Sequence, residues 1–244
     1  MKVVFLGATK GMGRALARKM AARGDTLFLL GRGDLDLERS ARDLAVRGAA
    51  PAGTAHCDLE DPSGFAAALA AADAALGGFD TVVVTAGIQA PQDEMEGDAA
   101  LSARVLAVCF TNTVLFCEEA RRRLLERGGG TLCVFSSVAG ERGRKPVILY
   151  GAAKAGLTRY LEGLDHKFRA AGLRTVCVKP GFVKTGLTVG VKPPPFAGEP
   201  DPVADIVLAA IDHGTPVVYA PRIWQPIMAT IRLLPRFVMR RLGF

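Results

Sequence analysis

The amino-acid sequence predicts a single α/β domain in which a mostly parallel sheet carries helices on both faces. Apolar, strand-like runs recur at Val3 to Leu6, Thr26 to Leu30, Thr81 to Val84, Thr131 to Phe135, Thr175 to Val178 and Val217 to Tyr219, with helical patterns between most of them. Such alternation is the signature of parallel strands joined by crossover helices and covered on both sides. Half of the 244 residues are hydrophobic and the charged share is ordinary, so the chain suits one large domain with a substantial core. Residues 1–222 hold this pattern, and 223–244 form an amphipathic, basic carboxyl-terminal segment.

The first strand runs into a glycine-rich turn, Gly7, Gly11 and Gly13, which opens a helix at Arg14 to Ala22. Backbone amides and the helix dipole at such a point favour a pyrophosphate. The spacing G-x-x-x-G-x-G also suits a plain strand-to-helix turn. The second strand ends in LFLLGRGDLDLER, where the acidic residue that accepts both ribose hydroxyls is replaced by Gly31 and Arg32. An arginine there can clasp a 2′-phosphate, and Lys10 can approach it from the other side, which favours NADP(H) over NAD(H). The alternative is that both are solvated surface charges. Asp34 and Asp36 are expected to begin and cap the next helix. A weaker strand precedes Cys57, after which Asp58 either accepts from an adenine amino group or shapes a turn. Phe65 to Leu76 reads as an alanine-rich helix. Ala99 to Arg127 and Tyr150 to Ala171 read as long helices that pack side by side, and the proline-rich run Lys192 to Pro200 as a loop.

Ser137, Tyr150 and Lys154 stand 13 and 4 residues apart. A lysine four residues after a tyrosine shares its helical face, where the ammonium favours phenolate and eases proton exchange with an alcohol or ketone. A serine arriving from the preceding strand can hold the reacting oxygen. Tyr-x-x-x-Lys alone is common on ordinary helices; together with the glycine turn it points to a nicotinamide-dependent oxidoreductase.

The net charge of +7 is spread over several helices and crowds at the carboxyl end, and no aromatic-rich basic motif supports nucleic-acid recognition. The cysteines, Cys57, Cys109, Cys117, Cys133 and Cys177, are odd in number, far apart and set in apolar runs. They read as buried thiols in a reducing cytosol, and not as a disulfide framework or a metal site. The apolar run at the amino terminus is too short for a signal peptide or membrane span.

With GATKGMG, CDL, the TAG turn at Thr85 to Gly87, the serine, tyrosine and lysine set, and KPGFVKT at Lys179 to Thr185 assembled, the chain resembles the classical short-chain dehydrogenase/reductase family along nearly its whole length. The resemblance implies a doubly wound Rossmann sheet with the cofactor across its carboxyl edge and hydride transfer to or from a small carbonyl or alcohol substrate. It implies that Tyr150 is the acid or base, that Ser137 orients the carbonyl, and that Lys154 lowers the tyrosine pKa and binds the nicotinamide ribose. Cofactor contacts are implied for Gly7, Thr9, Lys10, Gly11, Met12, Gly13, Arg32, Asp58, Leu59, Ala86 and Gly87. Pro180, Gly181, Val183 and Thr185 are implied to line the nicotinamide and diphosphate. A homodimer or homotetramer is implied as well.

Two positions depart from the family pattern. Thr85 stands where asparagine is frequent, and threonine keeps a local hydrogen bond. Cys109 in VLAVCFTNT stands where an asparagine completes a proton relay behind the lysine, and Asn112 is three residues off. This makes slowed proton exchange an expectation, and a catalytically weak dinucleotide-binding regulator the alternative.

A narrower similarity joins the chain to family members that reduce keto-sugars carried on polyprenyl phosphates, which implies a membrane-surface substrate. Arg142, Arg144 and Lys145 then either meet an anionic substrate or are solvated. In the tail, Trp224, Ile227, Met228, Ile231, Leu234, Phe237, Val238 and Leu242 recur at helical spacing beside Arg232, Arg236, Arg240 and Arg241. Such a segment either lies on the inner face of an anionic membrane or covers the pocket or another subunit, and Pro235 divides it.

Overall fold

The computed structural model describes residues 1–188, 190 and 193–243. The start of the expected proline-rich loop at Lys192 and the last residue of the tail, Phe244, lie outside the described residues. In chain order the elements are β1 (Lys2–Leu6), α1 (Gly11–Ala22), β2 (Thr26–Gly31), α2 (Asp34–Val46), β3 (Pro51–His56), α3 (Phe65–Leu76), β4 (Thr81–Val84), α4 (Gln92–Gly97), α5 (Ala99–Leu106), α6 (Asn112–Glu126), β5 (Gly130–Phe135), α7 (Ile148–Phe168), β6 (Leu173–Pro180), α8 (Pro200–His213), β7 (Val217–Ala220), α9 (Trp224–Leu233) and α10 (Arg236–Arg241).

The strands form one seven-stranded sheet in the order β3-β2-β1-β4-β5-β6-β7. Every pairing is parallel. The order reverses between β1 and β4, the switch point where the carboxyl ends of a doubly wound sheet leave a crevice. Successive strand residues point to opposite faces, so each strand feeds two cores. Val3, Phe5, Leu27, Leu29, Val83 and Val176 pack with α1, α2 and α8. Val4, Leu6, Phe28, Leu30, Val82 and Leu132 pack with α3, α6 and α7.

Local structure refines several expectations. α2 begins at Asp34, but its N-cap is Gly33, which has no side chain to cap with; Asp34 and Asp36 instead lie in the first turn, where carboxylates oppose the positive end of the helix dipole. The long helix from Ala99 is interrupted at Ala107–Thr111 by a π-turn between α5 and α6. Periodicity could not reveal this insertion, because one wider turn leaves the apolar spacing on either side intact. Between β4 and α5 the segment Gln92–Gly97 forms a short helix. Pro235 divides the tail as expected, serving as the N-cap of α10.

Ala99–Glu126 is long and apolar enough to match a bilayer by composition. Its Val105, Cys109, Phe116, Cys117, Ala120 and Leu124 are fully buried in the protein, which accounts for that composition as core. Phe116 meets Phe65 edge to face, with ring centroids 5.5 Å apart. Phe116→Ala leaves a ring-sized void in this layer and is expected to cost about 3–5 kcal/mol, read from urea unfolding of the ligand-free protein; a loss below about 1 kcal/mol would show that this layer is not close-packed.

Candidate active site

A cavity of about 580 Å³ opens at the carboxyl ends of β1, β2 and β4, lined by Gly7, Thr9, Lys10, Gly11, Met12, Gly13, Arg32, Asp58, Leu59, Ala86, Gly87 and Thr185 among others. Its floor depends on glycine at two points. Gly7 has φ +100°, and a Cβ on Gly13 would lie 2.2 Å from the Gly7 carbonyl oxygen, so the first turn of α1 closes onto β1 only without side chains. The N-cap Lys10 makes no side-chain capping bond, and no acidic residue stands in the first turn of α1. The amino end of this 12-residue helix therefore meets the cavity with its positive dipole uncompensated by the chain, which fits a diphosphate. Thr85 Oγ1 donates to Gly7 O at 2.9 Å and fastens β4 to the glycine turn, the local bond expected for threonine there.

Beside β2 the electrostatics are more balanced than the sequence suggested. Arg32 and Lys10 both line the cavity, but Arg32 pairs with Glu60 at 3.2 Å and Lys10 with Asp36 at 3.1 Å. Arg104 from α5 also grips Glu60, at 2.7 Å, and holds its carboxyl below the usual carboxylate range. Glu60 and Arg104 were not singled out in the sequence, where the available signal was an acidic residue two positions after Asp58, and Asp36 was expected only as a residue of the helix start. Asp58 Oδ1 accepts from the Glu60 amide at 3.0 Å, so it does shape a turn while facing the cavity.

The serine, tyrosine and lysine come together because α7 lies against the end of β5. Ser136 Oγ donates to Lys154 O at 3.0 Å and shares a 2.7 Å hydrogen bond with Thr158 Oγ1, while Lys154 Nζ donates to Phe135 O at 2.9 Å. Two glycines permit the contact. A Cβ on Gly140 would lie 2.6 Å from Ala155 N, and one on Gly151 would lie 2.9 Å from Ala139 O. Ser137 caps the short 3-10 turn Val138–Gly140, its Oγ accepting from Ala139 N at 3.1 Å. Lys154 Nζ stands 5.7 Å from the centre of the Tyr150 ring.

Burial pushes the Tyr150 phenol well above its ordinary range, the neighbouring Cys109 adds to the rise, and a hydrogen bond with Ser137 opposes it. Burial lowers the Lys154 ammonium, with Cys109 and Cys177 acting the other way. The direction for Tyr150 is thus upward, where a lowering by Lys154 was expected, and its largest cause is desolvation.

Cys109 lies in the π-turn and is fully buried, with Sγ donating to Ile88 O at 3.0 Å. A Cβ on Gly87 would lie 3.9 Å from Lys154 Nζ and 4.0 Å from Cys109 Sγ, so lysine and cysteine converge on the same glycine. Asn112 does not join them. Its Nδ2 donates to Leu59 O at 2.7 Å and pins the CDL turn to α6.

The expected nicotinamide-side segment is split. Thr185 lines the cavity, Pro180 ends β6, and Val183 is core, 2% exposed, with its backbone bridged to Gly198. Gly181 is covered by Trp224, whose Nε1 would lie 2.1 Å from a Cβ there. The loop cations also divide. Arg142 donates to Leu234 O at 2.7 Å and Lys145 to Arg240 O at 2.8 Å, so both bind carbonyls at the ends of the tail helices; Arg142 is half-buried there, while Lys145 remains exposed to solvent. The Arg144 side chain makes no hydrogen bond or ion pair among the described residues; its Nε is buried, and burial lowers its pKa.

A family model described as short chain dehydrogenase matches residues 1–194. An uncharacterized oxidoreductase of Mycobacterium tuberculosis is 35% identical over 240 residues, covering 98% of this chain and 96% of the relative. The cis-4-hydroxycyclohexanecarboxylate dehydrogenase of Sinomonas cyclohexanicum is 32% identical over 191 residues, covering 77% of this chain and 75% of the relative. Among solved structures, a short-chain type dehydrogenase/reductase from Mycobacterium ulcerans superposes with a TM-score of 0.79 at 21% identity, over 89% of this chain and 86% of that one.

The chain has three tyrosines, and burial raises the pKa of each: Tyr150, Tyr160 and Tyr219. An ultraviolet difference titration of the ligand-free protein is accordingly expected to show no phenolate below about pH 10, the ordinary tyrosine value. A phenolate step near or below that pH, missing in Tyr150→Phe, would contradict the burial assigned to this side chain.

Proposed function

Because the chain belongs to the short-chain dehydrogenase/reductase family, we propose that it interconverts a carbonyl and a secondary alcohol with NADP(H), Tyr150 acting as acid or base. The observation that carries this reading is the convergence of Ser137, Tyr150 and Lys154 around the end of β5, beside a cavity floored by glycine and a helix amino end. The nicotinamide, when bound, supplies or accepts the hydride. Gly7, Gly11 and Gly13 would admit its diphosphate, and Thr185, which lines the same cavity, would border it. In the reducing direction Tyr150 gives its phenolic proton to the substrate oxygen as the carbon gains hydride, and Ser137 holds that oxygen. The Lys154 ammonium, fixed by Phe135 O, stabilises the phenolate left behind. The raised pKa of Tyr150 keeps its proton in place at neutral pH, which suits reduction; oxidation needs the phenolate and gains rate as pH rises.

NADP(H) is favoured because Arg32 and Lys10 face the cavity from two sides. Their exposed pairings with Glu60 and Asp36 are weak enough for a 2′-phosphate to displace. Titration should show tighter binding of NADPH than NADH. Arg32→Ala is expected to reduce that preference about tenfold to a hundredfold, as for loss of a charge-assisted hydrogen bond. Tyr150→Phe should keep cofactor affinity and lose turnover about 10²- to 10⁴-fold on a panel of ketones. Tighter NADH binding rejects the cofactor assignment, and full turnover in Tyr150→Phe rejects the acid. A chain that binds NADPH yet reduces no ketone or keto-sugar supports the regulatory alternative.

A second reading concerns the substrate. Arg144 is a partly buried cation whose side chain has no partner among the described residues, and a dehydrogenase relative is named for a hydroxy acid. Leu233 and Phe237 are 84% and 61% exposed beside Arg236, Arg240 and Arg241, and residues 222–244 contain no acidic side chain. This face suits an anionic bilayer, from which an acid-bearing, lipid-linked carbonyl compound would reach the site. The five buried free cysteines agree with a reducing, cytoplasmic setting. The protein is expected to co-sediment with phosphatidylglycerol vesicles and not with phosphatidylcholine vesicles, and to be released by high salt; equal recovery from both would exclude the membrane-surface reading.

A further inference from the structure

Glu141 stands four residues after Ser137, and its side chain is 6% exposed. It forms an ion pair with Lys179, itself 8% exposed, and its other oxygen lies 3.2 Å from Arg232 of α9. Lys179 immediately precedes Pro180 and Gly181, and its ammonium sits 5.3 Å from the centre of the Tyr219 ring. Tyr219 also meets Glu141, and it belongs to an apolar cluster with Val138 and Met228 against which Trp224 and Ile231 of α9 pack. None of these charges takes part in the chemistry proposed for Tyr150.

A buried ion pair is seldom the cheapest way to fill a core, because desolvation consumes much of the attraction. What this one does is spatial. Glu141 belongs to the turn that carries Ser137, Lys179 to the strand end that becomes Gly181, and Arg232 to the arm that lays Trp224 over Gly181. One carboxylate therefore fastens three segments, beside the Arg142 bond to Leu234 O at the end of α9.

We propose that Glu141 is a positioning residue: by holding Lys179 and Arg232 together it seats α9 on the site, fixing Trp224 against Gly181 and the Ser137 turn against Tyr150. The proposal rests on the assignment of Ser137 and Gly181 to the reaction site. It makes the carboxyl-terminal arm part of that site and not an appendage. The adenosine end of the cleft, built from Lys10, Arg32 and Glu60, contains none of these residues, so the latch acts on turnover more than on cofactor affinity.

Trp224 is the chain's single tryptophan and reports the seating of the arm directly. In Glu141→Gln its emission is expected to move to the red and its quenching by acrylamide to rise. NADPH affinity should change less than about threefold, while kcat per NADPH-binding site falls at least about tenfold, in line with the cost of small misplacements at a reaction centre. The double variant Glu141→Gln, Lys179→Met removes the stranded ammonium, and is expected to recover thermal stability without recovering kcat. Should Glu141→Gln not fold, Arg232→Met removes only the half-exposed end of the latch and is expected to give the same emission shift and a smaller loss of kcat. Unchanged Trp224 emission overturns the proposal. So does an emission shift with unchanged kcat, or a double variant that regains stability and kcat together. If the wild-type protein reduces no carbonyl compound, the reaction assignment fails, while the emission measurement still decides whether Glu141 holds the arm.

Discussion

The site depends on one contact, the seating of α7 across the end of β5. A lysine is brought into a nearly water-free environment there, 5% exposed, and the protein meets the cost with the Phe135 carbonyl at 2.9 Å. Ser136 ties the same turn of α7 to the strand through the Lys154 carbonyl and Thr158. Without Gly140 and Gly151 the two backbones could not approach, and Ser137 would stand off from Tyr150. The spacing of serine, tyrosine and lysine along the chain thus becomes a geometry only through glycines that carry no chemistry themselves.

Around this contact the rest of the molecule acts as a set of clamps. The parallel sheet places the glycine turn, Gly87 and Thr185 along one edge, and Asn112 and Thr85 fasten the intervening turns with hydrogen bonds of 2.7 and 2.9 Å. The π-turn at Ala107–Thr111 swings Cys109 toward Gly87 and Lys154, while Asn112 leaves on another face. A residue that is three positions off in sequence is for this reason not a substitute in space. The tail is a further clamp: Arg142 and Lys145 bind its helix-end carbonyls, and Glu141 reaches Arg232.

Charge illustrates the difference between a residue's type and its circumstances. Lys10 and Arg32 were legible from the turn and from the end of β2, and both do face the cleft. Their pairing with Asp36 and Glu60 was not legible, since it depends on how α2, the turn after β3 and α5 meet. Arg142, Arg144 and Lys145 look equivalent along the chain. Two bind helix ends more than 90 residues away, and the side chain of the third has no partner among the described residues.

The sequence by itself determined the layered parallel sheet, because apolar runs and helical periods follow from which faces must be buried. It determined the positions of the glycine turn and of Ser137, Tyr150 and Lys154, because strand ends and helical repeat fix where such side chains emerge. Only the tertiary structure decided that the Tyr150 pKa is raised by burial, since desolvation is the sum of everything packed around a group. It also decided that α9 covers Gly181 through Trp224 and that α10 keeps Phe237 exposed, although both helices carry the same amphipathic spacing. An apolar stripe specifies that a helix has a face to cover; which surface covers it is a matter of where the chain has already folded.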